Sequence, residues 1–478
     1  MDLKTQALEG VKWTTLSMVV VTVFHLLQLA VLARFLEPTD FGLMAILMVA
    51  IGFSQAFMDM GVSNAIIQRQ HITHNQLSSL YWLNIASGIV LAGIVVLLAP
   101  LIAVFFEESR ITELLIILSS VFVIVAIGNQ YRVLCQKELQ FNRMAKIEMS
   151  SALLSFVVAV YFAVEGWGVY ALVFAMLTQA LVSSVLFLVV GLKEHHPPTF
   201  LYCHADLQGF YSFGLFQMGE RSVNYLSAHI DKLLIGKMLG FQAVGFYNMA
   251  WQLIIFPLAK INPIVDKVAF PVYSKVQDNP EALSRYYSMN IKALSLITIP
   301  SLAFLVFFSY DVVRFVFGPG WEQSASLVTV LAFVGIGKTL GGPGGALILA
   351  LGRADIGFWW NVFWMISVTL TLFVVLLFIP KVEAVAYALL GLSFSVGLIW
   401  HILIARIGRV SYLNILVHFV KTSLVTLAIA WIALLVVNQF QIEMTLLRLL
   451  IAGLMCGAIY APYVWLVERK LIMSFKKV

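Results

Sequence analysis

Charge is what this sequence has least of. Lys, Arg, Asp and Glu make up 11% of its 478 residues, while 61% are hydrophobic. A soluble domain carries about 25% charged residues. One core cannot bury such an apolar excess, so lipid must be the solvent for much of the surface. Cysteine is scarce too. Cys135, Cys203 and Cys456 are far apart and form no CxxC pair, which argues against a disulfide framework or a zinc site. Long polar segments are also lacking: the longest polar break is "KEHHPPTFLYCHADLQG" at 193–209. Loops this short leave no room for a sizeable catalytic domain outside the membrane. No basic groove studded with aromatics accompanies the net charge of +6, so nucleic acid is not an expected partner. The cations read instead as inner-leaflet topology signals.

What is abundant is the membrane-length apolar run, about 20 residues for each crossing. Six are read at 13–35, 41–67, 78–106, 111–135, 147–165 and 168–192. Six more are read at 210–238, 243–272, 288–317, 322–350, 355–379 and 382–405, and a last two at 413–437 and 445–467. The break "EGWG" at 165–168 is slight, so thirteen is the alternative count. The first run is too long for a cleavable signal and is expected to stay as a membrane helix. With the N-terminus inside, twenty of the 30 Lys and Arg fall on inner segments and six on outer ends. That bias predicts both termini in the cytoplasm.

The expected class is therefore all-α and polytopic, with about fourteen membrane helices. The break at 193–209 holds Pro197 and Pro198 and has no helical periodicity, so it reads as a cytoplasmic linker. It separates an N-lobe at 1–192 from a C-lobe at 210–407, and 408–478 adds two helices and a tail. A shift of 203 residues lays "VLARFLEPTDFG" (31–42) over "LIGKMLGFQAVG" (234–245). Leu36 then falls on Leu239, Gly42 on Gly245 and Arg34 on Lys237. Parallel repeats of this kind are a transporter architecture with substrate between the halves.

Charge inside the spans is concentrated in "FGLFQMGERSVNYLSAHIDKLLIGKML" (213–239). Glu220, Asn224, Ser227 and Asp231 recur at helical spacing, and Arg221, Tyr225, Ala228 and Lys232 repeat it one residue round. The two rows form one broad polar stripe. A charge at the bilayer centre costs about 2.5–3.5 kcal/mol on insertion scales, so the stripe should face a wet cavity or partners. The competing reading is a set of ion pairs, Glu220 or Asp231 with Arg221 or Lys232, that holds helices together. "GIGKTLGGPGG" (335–345) superficially suggests a phosphate loop, but the pattern needs Gly at 332 and Ala332 is there. It reads better as a helix broken at "GGPGG", with Lys338 placed either to meet a phosphate as a point charge or to snorkel or serve structure. Asp59 and His25 are lone ionisable groups in the second and first spans, able to carry a proton or cation or simply to bond a neighbouring helix. No metal site or cofactor is expected.

The stretches "ARFLEPTDFGLMAI" (33–46), "DKLLIGKMLGFQAVGFYNMAWQL" (231–253), "FPVYSKVQ" (270–277), "FGPGWEQSA" (317–325) and "LALGRADI" (349–356) lie in order across both lobes. In these the chain resembles the polysaccharide transporter family of the MOP flippase superfamily, closest to exporters of colanic-acid or teichuronic-acid type. The resemblance implies two six-helix bundles around a central cavity. It implies alternating-access transfer of a polyprenyl-pyrophosphate-linked oligosaccharide across a bacterial inner membrane. Expected partners are membrane lipids, that substrate, and a glycan polymerase and chain-length regulator. Arg221, Lys232, Lys338 and Asn224 are then the candidates for substrate binding. Glu220, Asp231, Asp59 and His25 are the candidates for ion coupling or cation positioning. The alternatives on the same fold are multidrug efflux, which favours an acidic cavity, and flipping of a peptidoglycan precursor. A membrane polymerase or ligase is the alternative of another class; no paired-carboxylate site stands out for it.

Overall fold

A computed structural model of the chain describes residues 3–55, 57–58, 66–67, 72–194, 197–199, 214–440, 442 and 444–467. Among these residues there are fifteen helices and no strand. They are α1 (Leu3–Leu32), α2 (Pro38–Gln55), α3 (His74–Phe106), α4 (Arg110–Lys137), α5 (Phe141–Val164), α6 (Val169–Glu194), α7 (Gly214–Leu239) and α8 (Phe241–Lys275). Then come α9 (Pro280–Val316), α10 (Glu322–Gly341), α11 (Gly344–Ala350), α12 (Ala354–Phe378), α13 (Val382–Ile407), α14 (Tyr412–Gln439) and α15 (Thr445–Val467).

With α10 and α11 taken as one interrupted crossing, these helices match the fourteen expected spans. Among the described residues, twelve of the crossings are long and apolar enough to span a bilayer. The exceptions are α7, which carries Arg221, Asp231, Lys232 and Lys237, and α8, which carries Gln242, Asn248 and Gln252. The alternative count of thirteen fails at "EGWG". Gly166 and Gly168 have φ of 77° and 52°, left-handed conformations that suit glycine, and the chain reverses there between α5 and α6. Large apolar side chains point outward throughout: Leu97, Val104 and Phe378 are 77%, 76% and 81% exposed. Water would penalise such a surface and acyl chains would not. Small polar residues sit inside instead, including Ser79, Ser295, Thr298, Ser324 and Thr339, as expected where helices must approach closely without a hydrophobic drive between them.

The chain falls into two compact units, Met1–Gly245 and Phe246–Val478. In the first, α1 packs on α5, α3 on α4, α4 on α6, and α7 on α2. In the second, α9 packs on α10, α14 and α15, and α10 packs on α13. The helix α7, expected to open the C-lobe, is thus packed with the first six helices. Most of the linker at 193–209 lies outside the described residues. Its segment 197–199 is tied to α3, where Trp82 Nε1 donates to the Thr199 carbonyl at 2.9 Å and Thr199 N to Ser78 Oγ at 3.1 Å.

The repeat is visible as a contact. A Cβ added at Gly42 would lie 1.7 Å from the Phe241 carbonyl oxygen, and one added at Gly245 would lie 1.8 Å from that of Pro38. The offset that carries 42 to 245 also carries 38 to 241. The contact is therefore reciprocal, as across a two-fold axis, and only glycine allows the backbones so close.

The "GGPGG" break is present. One helix ends at Gly341 and the next begins at Gly344; Gly342 N makes the last bond of the first, to the Lys338 carbonyl at 3.0 Å, and Gly342 and Pro343 keep right-handed angles (φ −54°, ψ −51° and φ −64°, ψ −14°). Gly345 N turns to the Gly342 carbonyl at 3.4 Å, and the Gly341 carbonyl accepts from Trp400 Nε1 at 3.1 Å. A side chain on α13 thus satisfies the acceptor at the break.

Candidate functional site

The polar stripe of α7 is helical and divides into two arcs. Successive residues turn by about 100°, so Arg221, Asn224, Ala228 and Lys232 share one side with Asp231 at its edge. Arg221, Asn224 and Ala228 are exposed, and Asp231 and Lys232 are partly buried. The adjoining arc is packed. Tyr225 donates its hydroxyl to the Met48 carbonyl of α2 at 2.9 Å. Gly52 leaves the room for it, since a Cβ there would lie 2.0 Å from the same oxygen. His229 packs against Tyr225 with centroids 4.5 Å apart and planes tilted by 57°. Its buried Nδ1 has no hydrogen-bond partner among the described residues. Asp231 Oδ1 accepts from Lys232 N at 2.8 Å. The side chain of Glu220, a member of the competing ion-pair set, lies outside those described.

At its end α7 is held by charge. Lys237 Nζ is 2.7 Å from Glu107 Oε1 and 5.4 Å from the centre of the Phe105 ring. Glu107 lies between α3 and α4, and the hydrogen bond from Lys237 holds its carboxyl below the ordinary value.

The other candidates are dispersed. His25 is an exposed residue of α1 whose Nε2 lies 3.5 Å from Gln179 Nε2 of α6. Asp59 lies outside the described residues. Lys338 belongs to the second unit, exposed on α10 with its Nζ 5.5 Å from the ring centre of Trp251 on α8. The structure therefore brings Arg221, Asn224, Asp231 and Lys232 together on one helix.

Some residues gave no sequence signal of this kind. Glu148 on α5 accepts from Ser17 Oγ of α1 at 3.0 Å and lies 3.3 Å from Arg132 Nη2 of α4. It joins three helices. The clue was an acidic residue just after a basic run at the start of a span. Arg448, read only as a topology charge, bridges α15 to Asp311 of α9 at 2.9 Å and to Asn438 of α14 at 2.6 Å. It ties the last two helices, α14 and α15, to α9.

Residues 31–326 match the model of a family described as polysaccharide biosynthesis protein. The teichuronic acid biosynthesis protein TuaB of Bacillus subtilis (strain 168) is 35% identical over 464 residues, 94% of each chain. The lipopolysaccharide biosynthesis protein WzxC of Escherichia coli (strain K12) is 33% identical over 364 residues, 76% of this chain and 74% of its own. Among solved structures, the inward closed conformation of the lipid II flippase MurJ superposes with a TM-score of 0.72 at 14% identity. It covers 97% of this chain and 100% of that one. At that identity the likeness is one of fold.

Proposed function

The chain belongs to the polysaccharide biosynthesis protein family, and from that premise we propose that it is a flippase for surface-glycan assembly. It moves a polyprenyl-pyrophosphate-linked oligosaccharide from the cytoplasmic to the outer leaflet of a bacterial inner membrane. The observation that carries the reading is the exposed arc of α7. Arg221 and Asn224 are exposed there among the described residues, on a helix flanked by apolar crossings, with Lys232 on the same side. Facing acyl chains, that arc would be costly. Facing a wet cavity, it offers cations and an amide to a polar, anionic headgroup.

In this account the substrate lies between lobes at 1–192 and 210–407. They alternate about the linker at 193–209, and 408–478 carries the last two helices and a tail. Arg221, Lys232 and Lys338 meet the pyrophosphate, and Asn224 meets adjoining hydroxyls. Glu220 and Asp231 keep the cations placed when the cavity is empty. Asp59 and His25 carry the coupling ion. Both termini are cytoplasmic, so reporter fusions at His196 and Asn279 should read inside and one at Lys381 outside. The flipped product passes to a glycan polymerase and a chain-length regulator. The protein moves its substrate without making or breaking a bond.

The test is export in a host deleted for its own flippase. The wild-type chain should restore the surface glycan. Arg221→Ala and Lys232→Ala should abolish it at near-normal membrane abundance. Loss of these variants from the membrane would instead mean that the cations only hold helices together. A buried pair that loses one partner costs roughly 3–5 kcal/mol.

A further inference from the structure

Trp251 has no role in the account above, and its surroundings suggest one that rests on reading Lys338 as a headgroup contact. Lys338 Nζ lies 5.5 Å from the centre of the Trp251 ring, inside the reach of about 6 Å over which an aromatic face attracts a cation. The lysine borders open space. It is exposed, and a Cβ added at neighbouring Gly337 would meet nothing within 4 Å. Two residues earlier the same helix is shut against α8, where a Cβ at Gly335 would lie 2.8 Å from Ile254. The ring and the ammonium thus stand at the edge where the α8–α10 seam opens. The ring is itself fixed: fully buried Tyr247 meets it edge-on, with centroids 6.2 Å apart and planes at 80°.

Packing alone does not call for an indole here. Trp251 Nε1 is buried with no hydrogen-bond partner among the described residues. Phenylalanine in that slot would bury no such donor. What tryptophan adds over phenylalanine is the stronger quadrupole of its face. An aromatic face orients a cation without neutralising it.

We infer that Trp251 is a positioning residue for Lys338, with its ring face holding the ammonium at the open edge of the α8–α10 seam for the pyrophosphate of the lipid-linked glycan. The lysine touches the ligand. Trp251 acts through the lysine, and Tyr247 acts through Trp251.

The test is a double-mutant cycle on binding, with the full-length chain in nanodiscs. The probe is undecaprenyl pyrophosphate, and undecaprenol is the uncharged control. Trp251→Leu should weaken binding of the pyrophosphate by about 2- to 30-fold and leave undecaprenol unchanged. Trp251→Phe should retain more affinity than Trp251→Leu. Adding Trp251→Leu to Lys338→Gln should weaken binding no further. Wild-type affinity in Trp251→Leu, or an equal loss with and without Lys338, would overturn the proposal. If Trp251→Leu does not accumulate, Trp251→Tyr and Trp251→Phe carry the comparison, and equal affinity to wild type in both defeats it. A wild-type chain that binds undecaprenyl pyrophosphate no better than undecaprenol would sink the headgroup reading and this inference together. Discrimination without coupling would sink the inference alone.

Discussion

The reciprocal glycine contact allows the most quantitative prediction. The perturbation is a single methyl group at Gly42 or Gly245. At Gly42 it would lie 1.7 Å from the Phe241 carbonyl oxygen, and at Gly245 1.8 Å from that of Pro38. Relief requires the two backbones to part by roughly 1.5 Å to reach van der Waals distance. No flexible side chain is available to move aside. Overpacking of this kind costs about 1–3 kcal/mol, here at the upper end, while Gly→Ala in a helix returns up to about 1 kcal/mol. The net is about 2 kcal/mol for each substitution. In a unit of this size that lowers the melting temperature by about 4–8 °C, measured by size-exclusion detection of protein heated in detergent. Because each methyl opens the same seam, Gly42→Ala with Gly245→Ala should cost less than the sum of the two. Gly93→Ala is the control: nothing lies within 4 Å of its added Cβ, so it should melt at or slightly above wild type. A Gly42→Ala protein that melts with wild type, or strict additivity in the double variant, would refute the reasoning.

Two other outcomes follow from single contacts. Trp400→Phe removes the donor to the Gly341 carbonyl at the helix break and should cost about 1–3 kcal/mol, read as a lower melting temperature. The Glu107 carboxyl is held below its ordinary value by Lys237. A depressed value adds stability above the unfolded value, about 4.3, and the gain is lost as pH falls through the folded one. Lys237→Gln should therefore melt below wild type at pH 7, and the two should converge as pH falls through the folded value of Glu107.

Much of the fold was legible because its signals are local. An apolar run of membrane length shows itself without its neighbours. "EGWG" and "GGPGG" interrupt helices for reasons contained in a few residues: glycine's left-handed angles and proline's missing donor. The repeat was legible through Gly42 and Gly245, whose correspondence in sequence became a contact in space. The polar stripe of α7 was readable from spacing alone, but which arc is covered was not. That depends on Gly52 of α2, which admits Tyr225 from 173 positions further along the chain. Glu148 and Trp251 were missed for the same reason, since their partners, Ser17 and Lys338, lie 131 and 87 positions away. Nothing in the local pattern around either residue announces such a meeting.

The central claim is that Arg221 reads the anionic headgroup from a cavity-facing arc. It is tested most directly by transfer in proteoliposomes loaded with a polyprenyl-pyrophosphate-linked oligosaccharide, scored by the fraction of glycan that becomes accessible to an added glycosidase. Wild type should expose the glycan with time. The paired exchange Glu220→Arg with Arg221→Glu should reconstitute equally well and expose none. It keeps both charges but carries the cation about 100° round the helix, onto the row of Asn224 and Asp231 and away from Lys232. Wild-type transfer by the exchanged protein would contradict the account.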